Sequence, residues 1–113
     1  MTGEELRAAC LALPDTIETF AFGPGCSVFK VSNGKMFAVS VTSTEPVDVS
    51  VKCDPDRAAD LRLHYDAVVE GYHLNKRHWI TVTANADVAD AMVVELIEDS
   101  FDLVRPRERR RAG

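Results

Sequence analysis

The sequence predicts a single α+β domain, an antiparallel sheet of five to six strands packed against N- and C-terminal helices. Three observations carry this. The chain has 113 residues, of which 46% are hydrophobic, enough for one core in one domain. Apolar residues recur at helical spacing near both ends of the chain, whereas the middle alternates apolar and polar residues with a period of two. The alternating stretches follow one another through short turn signals, which pair neighbours antiparallel rather than through crossovers.

Thr2-x-x-Glu5 reads as a capping box, and Leu6, Ala9, Cys10 and Leu13 continue at helical spacing, so a first helix is predicted over 3–13. Pro14 ends it, because it lacks the backbone N–H that a helix requires. Thr16–Phe22 is rich in β-branched and aromatic residues and reads as a strand, broken by Gly23-Pro24-Gly25. Residues 26–31 form the next strand, and Asn33-Gly34 marks a tight hairpin. Met36–Val41 returns from it, with Phe37, Val39 and Val41 assigned to one face. After the loop Ser43-Thr44-Glu45-Pro46, Val47, Val49 and Val51 alternate with Asp48, Ser50 and Lys52, giving one dry face and one wet face. Asp54 as cap and Pro55 in the first turn start a second helix that runs to about Leu63. Val68 and Val69 mark a short extended piece. Trp79–Thr83 is a strand, with Ile80 and Val82 facing one way and Trp79, Thr81 and Thr83 the other. Asp87 is read as the cap of a long final helix striped by Val88, Met92, Val93, Leu96, Ile97 and Val104.

The domain is therefore expected over 1–104, followed by a basic, disordered tail over 105–113. No apolar run approaches the roughly 20 residues that span a bilayer. The acidic N-terminus lacks the basic region of a secretory signal, so a cytoplasmic setting is expected. Cys10, Cys26 and Cys53 are odd in number and far apart, with no Cys-x-x-Cys pair, which predicts free thiols. The net charge of −5 is unevenly placed. Residues 1–104 carry eight basic and seventeen acidic side chains, a net −9, whereas residues 105–113 carry five arginines and one glutamate, a net +4. An acidic body disfavours broad nucleic-acid binding, while a basic tail offers phosphate contacts.

The densest group of polar functional side chains is Gly71-Tyr72-His73-Leu74-Asn75-Lys76-Arg77-His78-Trp79-Ile80-Thr81-Val82, just before and into a strand, where binding groups are commonly displayed. Lys76, Arg77 and His73 are candidate phosphate contacts, with Lys35, Lys52 and the tail arginines as secondary anchors. Each neutralised phosphate steepens the log-affinity against log-salt plot by about 0.9. Asn75 offers a donor and an acceptor together, suited to a base edge. Tyr72 and Trp79 can stack on bases if exposed. The competing reading packs Tyr72 and Trp79 in or beside the core and leaves Lys76 and Arg77 solvated or paired with Asp66 and Glu70. His73 and His78 are spaced for neither a helix turn nor one strand face, and no third ligand lies nearby, so no metal is expected. Cys53 or Ser50 with His73 lacks any flanking nucleophile motif, and Gly23-Pro24-Gly25 lacks the helix and lysine of a phosphate loop. A non-enzymatic binding protein without a cofactor is expected.

The same Gly71–Val82 string resembles the YjbR/MmcQ family. So do Glu18-Thr19-Phe20 with Phe22-Gly23 and Gly25, Val28-Phe29-Lys30-Val31, Lys35-Met36-Phe37-Ala38 and Lys52-Cys53-Asp54-Pro55. The matches run in order across nearly the whole domain. The sequence departs from the family at Ala21 and Glu70, where proline is frequent, and at Leu74, where methionine is. The resemblance implies a frataxin-like (CyaY-like) α/β sandwich, and DNA binding through what is described as a double-wing motif. The alternative is a protein- or small-ligand-binding module using the same loop, or a homodimer paired through an open sheet edge.

Overall fold

The computed structural model describes residues 1–71 and 74–106. In chain order its elements are α1 (Gly3–Leu11), β1 (Ile17–Thr19), β2 (Ser27–Lys30), β3 (Met36–Ser40), β4 (Asp48–Lys52), α2 (Pro55–His64), β5 (Val68–Glu70), β6 (Trp79–Thr83) and α3 (Asp90–Val104). The six strands form one open sheet in the order β1-β2-β3-β4-β6-β5, and every neighbouring pair is antiparallel. The α+β expectation holds, with six strands. No helix among the described residues is long and apolar enough to cross a membrane.

All three helices bury residues in one core on one face of the sheet. Leu6 and Cys10 of α1, Ala58 and Leu61 of α2, and Val93, Leu96, Ile97, Phe101 and Val104 of α3 meet Phe29, Ala38, Val49, Val51, Ile80 and Val82. α3 crosses β3 and β4, α1 lies beside α3, and α2 lies beside β5. The period-two pattern explains this. Val49 pairs with Val82 and Val51 with Ile80, so one side of β4 and β6 is dry. Asp48, Ser50, Lys52, Trp79, Thr81 and Thr83 alternate onto the opposite face, but it is not the wet face expected, because Ser50, Trp79 and Thr81 are buried there.

Two predicted caps are present. Thr2 and Glu5 form the reciprocal capping box, and the Asp54 carboxylate accepts from the backbone of Asp56 and Arg57 ahead of Pro55. The cap assigned to Asp87 is wrong. α3 begins after Ala89, which makes no side-chain cap bond, and the Asp87 carboxylate instead accepts from the backbone N–H groups of Asp66 (2.7 Å) and Ala67 (2.9 Å). It ties the entry to β5 to the exit from β6. α1 also stops at Leu11, two residues before the predicted end. At the first position of α1 Gly3 is required, because a Cβ there would lie 1.7 Å from the carbonyl oxygen of Thr42.

The expectation that Phe37, Val39 and Val41 share a face is also corrected. Phe29 pairs with Ala38 and Lys30 with Met36, so Phe37 is the extra residue of a β-bulge. The bulge turns its ring to the helices, edge-on to Phe101 at 5.5 Å between centroids, whereas Val39 stays level with Ser50 on the other face. Ser100 of α3 closes the resulting gap in the ladder. Its fully buried hydroxyl accepts from the N–H of Lys52 (2.8 Å) and donates to the carbonyl of Phe37 (2.6 Å), standing in for a direct β3–β4 bond.

Candidate nucleic-acid interface

Strand direction collects the cations. β2, β4 and β5 end, and β3 and β6 begin, at one end of the sheet. Lys30 closes β2, Lys35 sits in the β2–β3 turn, Lys52 closes β4, and Lys76 and Arg77 lie in the turn before β6. Of these, Lys35, Lys76 and Arg77 are exposed, and Lys30 and Lys52 are half-buried. Alternation puts Lys30, opposite Met36, and Lys52, opposite Trp79, on the face away from the core cluster. With about 4.8 Å between strands, β2 to β6 spans about 14 Å.

These five cations share a second property. Arg7 is paired with Glu18, Arg57 with Asp99 and Arg105 with Asp102, but none of the five has an ion-pair partner among the described residues. Of the competing reading, the burial of Trp79 and the solvated Lys76 and Arg77 are what the structure has, while pairing of these two cations with Asp66 and Glu70 is not seen among the described residues. Half of the eighteen carboxylates lie on the three helices of the opposite face: Glu4 and Glu5, Asp56 and Asp60, and five on α3. Glu70, Asp15 and Asp54 remain near the cationic end, as do Asp99 and Asp102 of α3, which line a cleft with Lys52; Asp54 is engaged in capping α2, Asp99 is paired with Arg57 and Asp102 with Arg105.

The two turns that display these cations are built alike. The side-chain oxygen of Asn75 accepts from the backbone N–H of Arg77 (3.0 Å), and its own carbonyl accepts from His78 (3.1 Å) and Trp79 (2.9 Å). The side-chain oxygen of Asn33 accepts from the N–H of Lys35 (3.0 Å), and its amide donates to the carbonyl of Val104 at the end of α3 (3.2 Å). Each is an Asx-turn that holds a cation two residues on. The Asn75 side-chain oxygen, which the sequence suggested for a base edge, is thus engaged in shaping the turn.

Trp79 is corrected as well. It is only 7% exposed, so it braces Lys52 from the neighbouring strand rather than offering a face for stacking. Gly71 explains how the chain passes it. Its N–H donates to the carbonyl of Trp79 (2.9 Å), and a Cβ at Gly71 would lie 2.5 Å from the Trp79 Cβ. The sites assigned to Tyr72 and His73, and the tail beyond residue 106, lie outside the described residues.

The groups considered for nucleophilic chemistry are occupied or unreactive. The Ser50 hydroxyl lies 2.7 Å from that of Thr81. Burial pushes the Cys53 thiol above its ordinary range, and pushes Cys10 up to about 12. All three cysteines are free. Sequence reasoning missed Lys30, Asn33 and Ser100. Lys30 had a usable signal, its place beside the core residue Phe29. Asn33 and Ser100 act through partners 71 and 63 residues away, which no local pattern reveals.

Comparison with known proteins agrees with this architecture. The YjbR family model matches residues 11–103. Uncharacterised protein YbdF of Escherichia coli is 34% identical over 101 residues, 89% of this chain and 82% of that one. Uncharacterised protein YjbR of Escherichia coli is 29% identical over 114 residues, 98% and 96% of the two chains. A Deinococcus radiodurans crystal structure with a DUF419 domain superposes with a TM-score of 0.85 at 39% identity, covering 91% of this chain and 78% of that one. A Pseudomonas syringae crystal structure does so with a TM-score of 0.79 at 27% identity, covering 93% and 100%. With the family model matching most of its length and a relative 34% identical over 101 residues, the chain belongs to the YjbR family.

Proposed function

We propose that this protein is a non-enzymatic, cytoplasmic DNA-binding protein that holds phosphates at the end of its sheet where β2 meets β3 and β4 meets β6. The observation that carries the reading is the gathering of Lys30, Lys35, Lys52, Lys76 and Arg77 at one end of the sheet, all without an ion-pair partner among the described residues. A cation left unpaired on a protein of net charge −5 is free to exchange its water for a phosphate. The span from β2 to β6, about 14 Å, matches the roughly 12 Å width of a major groove, so the two Asx-turns contact the backbone on either side. Contacts to phosphate rather than to base edges make the binding sequence-tolerant and salt-sensitive.

Fluorescence anisotropy with a labelled duplex at several salt concentrations tests this. Four or five phosphate contacts give a log–log slope of about −4. Absence of binding at low salt ends the proposal. A second reading, a protein contact along the β1 edge, draws on Ile17, Phe20 and Phe22, each more than half exposed. It predicts a salt-tolerant association that Lys76→Ala and Arg77→Ala leave unchanged.

A further inference from the structure

We infer that Arg62 is a further phosphate contact of the same surface, a guanidinium stored against α2 that turns outward onto the polyanion. The inference rests on the DNA-binding reading and adds to its site a residue that the sequence did not single out.

Arg62 stands apart from most of its kind. Arg7 is paired with Glu18, Arg57 with Asp99 and Arg105 with Asp102, whereas Arg62 has no ion-pair partner among the described residues. It is half-buried, and its Nη1 is shut off from solvent without a hydrogen-bond partner. An enclosed N–H that bonds to nothing weakens a fold, and more so when it carries charge. A packed apolar side chain of similar length avoids that loss. A group that opposes stability where it rests is accounted for when it acts elsewhere.

Helix geometry places that action. At 3.6 residues per turn, Arg57 and Arg62 fall on opposite flanks of α2, with the buried Ala58 and Leu61 between them. The Arg57 flank meets Asp99 of α3. The Arg62 flank is turned away from α3, on a helix that lies beside β5, the strand leading into the turn of Lys76 and Arg77. Helical side chains lean toward the N-terminus of their helix, so Arg62 runs back from the last turn of α2 toward its start, just after Lys52 and Cys53. Its charge is felt there: burial raises the Cys53 thiol, while the Arg57 and Arg62 charges lower it. A guanidinium acting on Cys53 does not serve the last turn of α2, where His64 Nδ1 lies 2.8 Å from the Asp60 carbonyl oxygen. Contact with DNA needs rotation only about side-chain bonds. Turned outward, the fork presents paired N–H donors to the oxygens of one phosphate, and Nη1 gains the partner it lacks.

Arg62→Met tests this in the full chain, with a labelled DNA duplex and a urea titration. The two readouts are expected to diverge. The urea midpoint holds or rises, because the orphaned N–H is gone, while binding weakens about tenfold at low salt and the salt slope flattens by about 0.9. Arg62→Lys, which keeps the charge, is expected to bind with the parent's slope. A purely structural arginine gives the reverse, a lower urea midpoint with the slope unchanged, and that result overturns the proposal. A Met variant of any stability that keeps the parent's slope overturns it as well, while the DNA-binding reading stands. If the unmodified chain fails to bind the duplex, that reading itself falls, a result distinct from binding that is indifferent to residue 62.

Discussion

Single side chains in this protein carry consequences that differ sharply with their surroundings. The Arg7 guanidinium donates to Glu18 from Nε (2.9 Å) and Nη2 (2.7 Å), and the Ser27 hydroxyl donates to the same carboxylate (2.7 Å). The Arg7 bond, aided by Ser27, holds the Glu18 carboxyl below its ordinary range. A depressed carboxyl stabilises the fold above its unfolded pKa, about 4.3, and that contribution is lost as pH falls through the folded value. Glu18→Gln is therefore expected to be less stable than the parent at pH 7, with the difference shrinking at pH 3; urea titrations at both values measure it. The thiols form a second contrast. Cys10, pushed up to about 12 by burial, and Cys53, raised by burial, are expected to react with a maleimide only after unfolding, whereas half-exposed Cys26 reacts in the native protein. Mass spectrometry of the singly labelled product identifies the site.

At the scale of elements, the feature that decides the site is the β-bulge at Phe37 with the Ser100 hydroxyl set into the ladder beside it. Ser100→Ala leaves a buried N–H and a buried carbonyl without their bridge, which costs about 1–3 kcal/mol. It also frees the end of β4, where Lys52 sits, so both the urea midpoint and the DNA affinity are expected to drop. Gly71→Ala drives a methyl group into Trp79 and its backbone, and is expected to shift the turn carrying Lys76 and Arg77. How far the sequence was legible follows from these same elements. The Thr2 box, the Asp54-Pro55 start of α2 and the alternation of β4 and β6 depend on residues a few positions apart, and all three were readable. Asp87 was misassigned because its carboxylate serves two N–H groups some twenty residues back. Phe37 was put on the wrong face because a bulge belongs to a pair of strands and not to either one. Lys35, Lys52, Lys76 and Arg77 were readable as cations, but their arrival at one end depends on strand order, which no single segment encodes.

At the scale of the molecule, the sheet divides the charge. Nine carboxylates ride on the helices on one side, with Asp99 and Asp102 reaching the end of β4, and five cations without ion-pair partners among the described residues gather at one end of the sheet. Removing Lys30, never singled out by its local sequence, is expected to cost as much DNA affinity as removing Lys35. Lys30→Ala and Lys35→Ala should each flatten the salt slope by about 0.9, measured by the same anisotropy titration.

The separation of charge also gives the free protein an electric dipole, and a dipole feels a torque before it touches anything. Near a phosphate chain the acidic helices are pushed outward and the strand ends swing inward, so encounters become productive more often than random tumbling allows. The speed of capture, more than the lifetime of the complex, is then the quantity that added salt suppresses most.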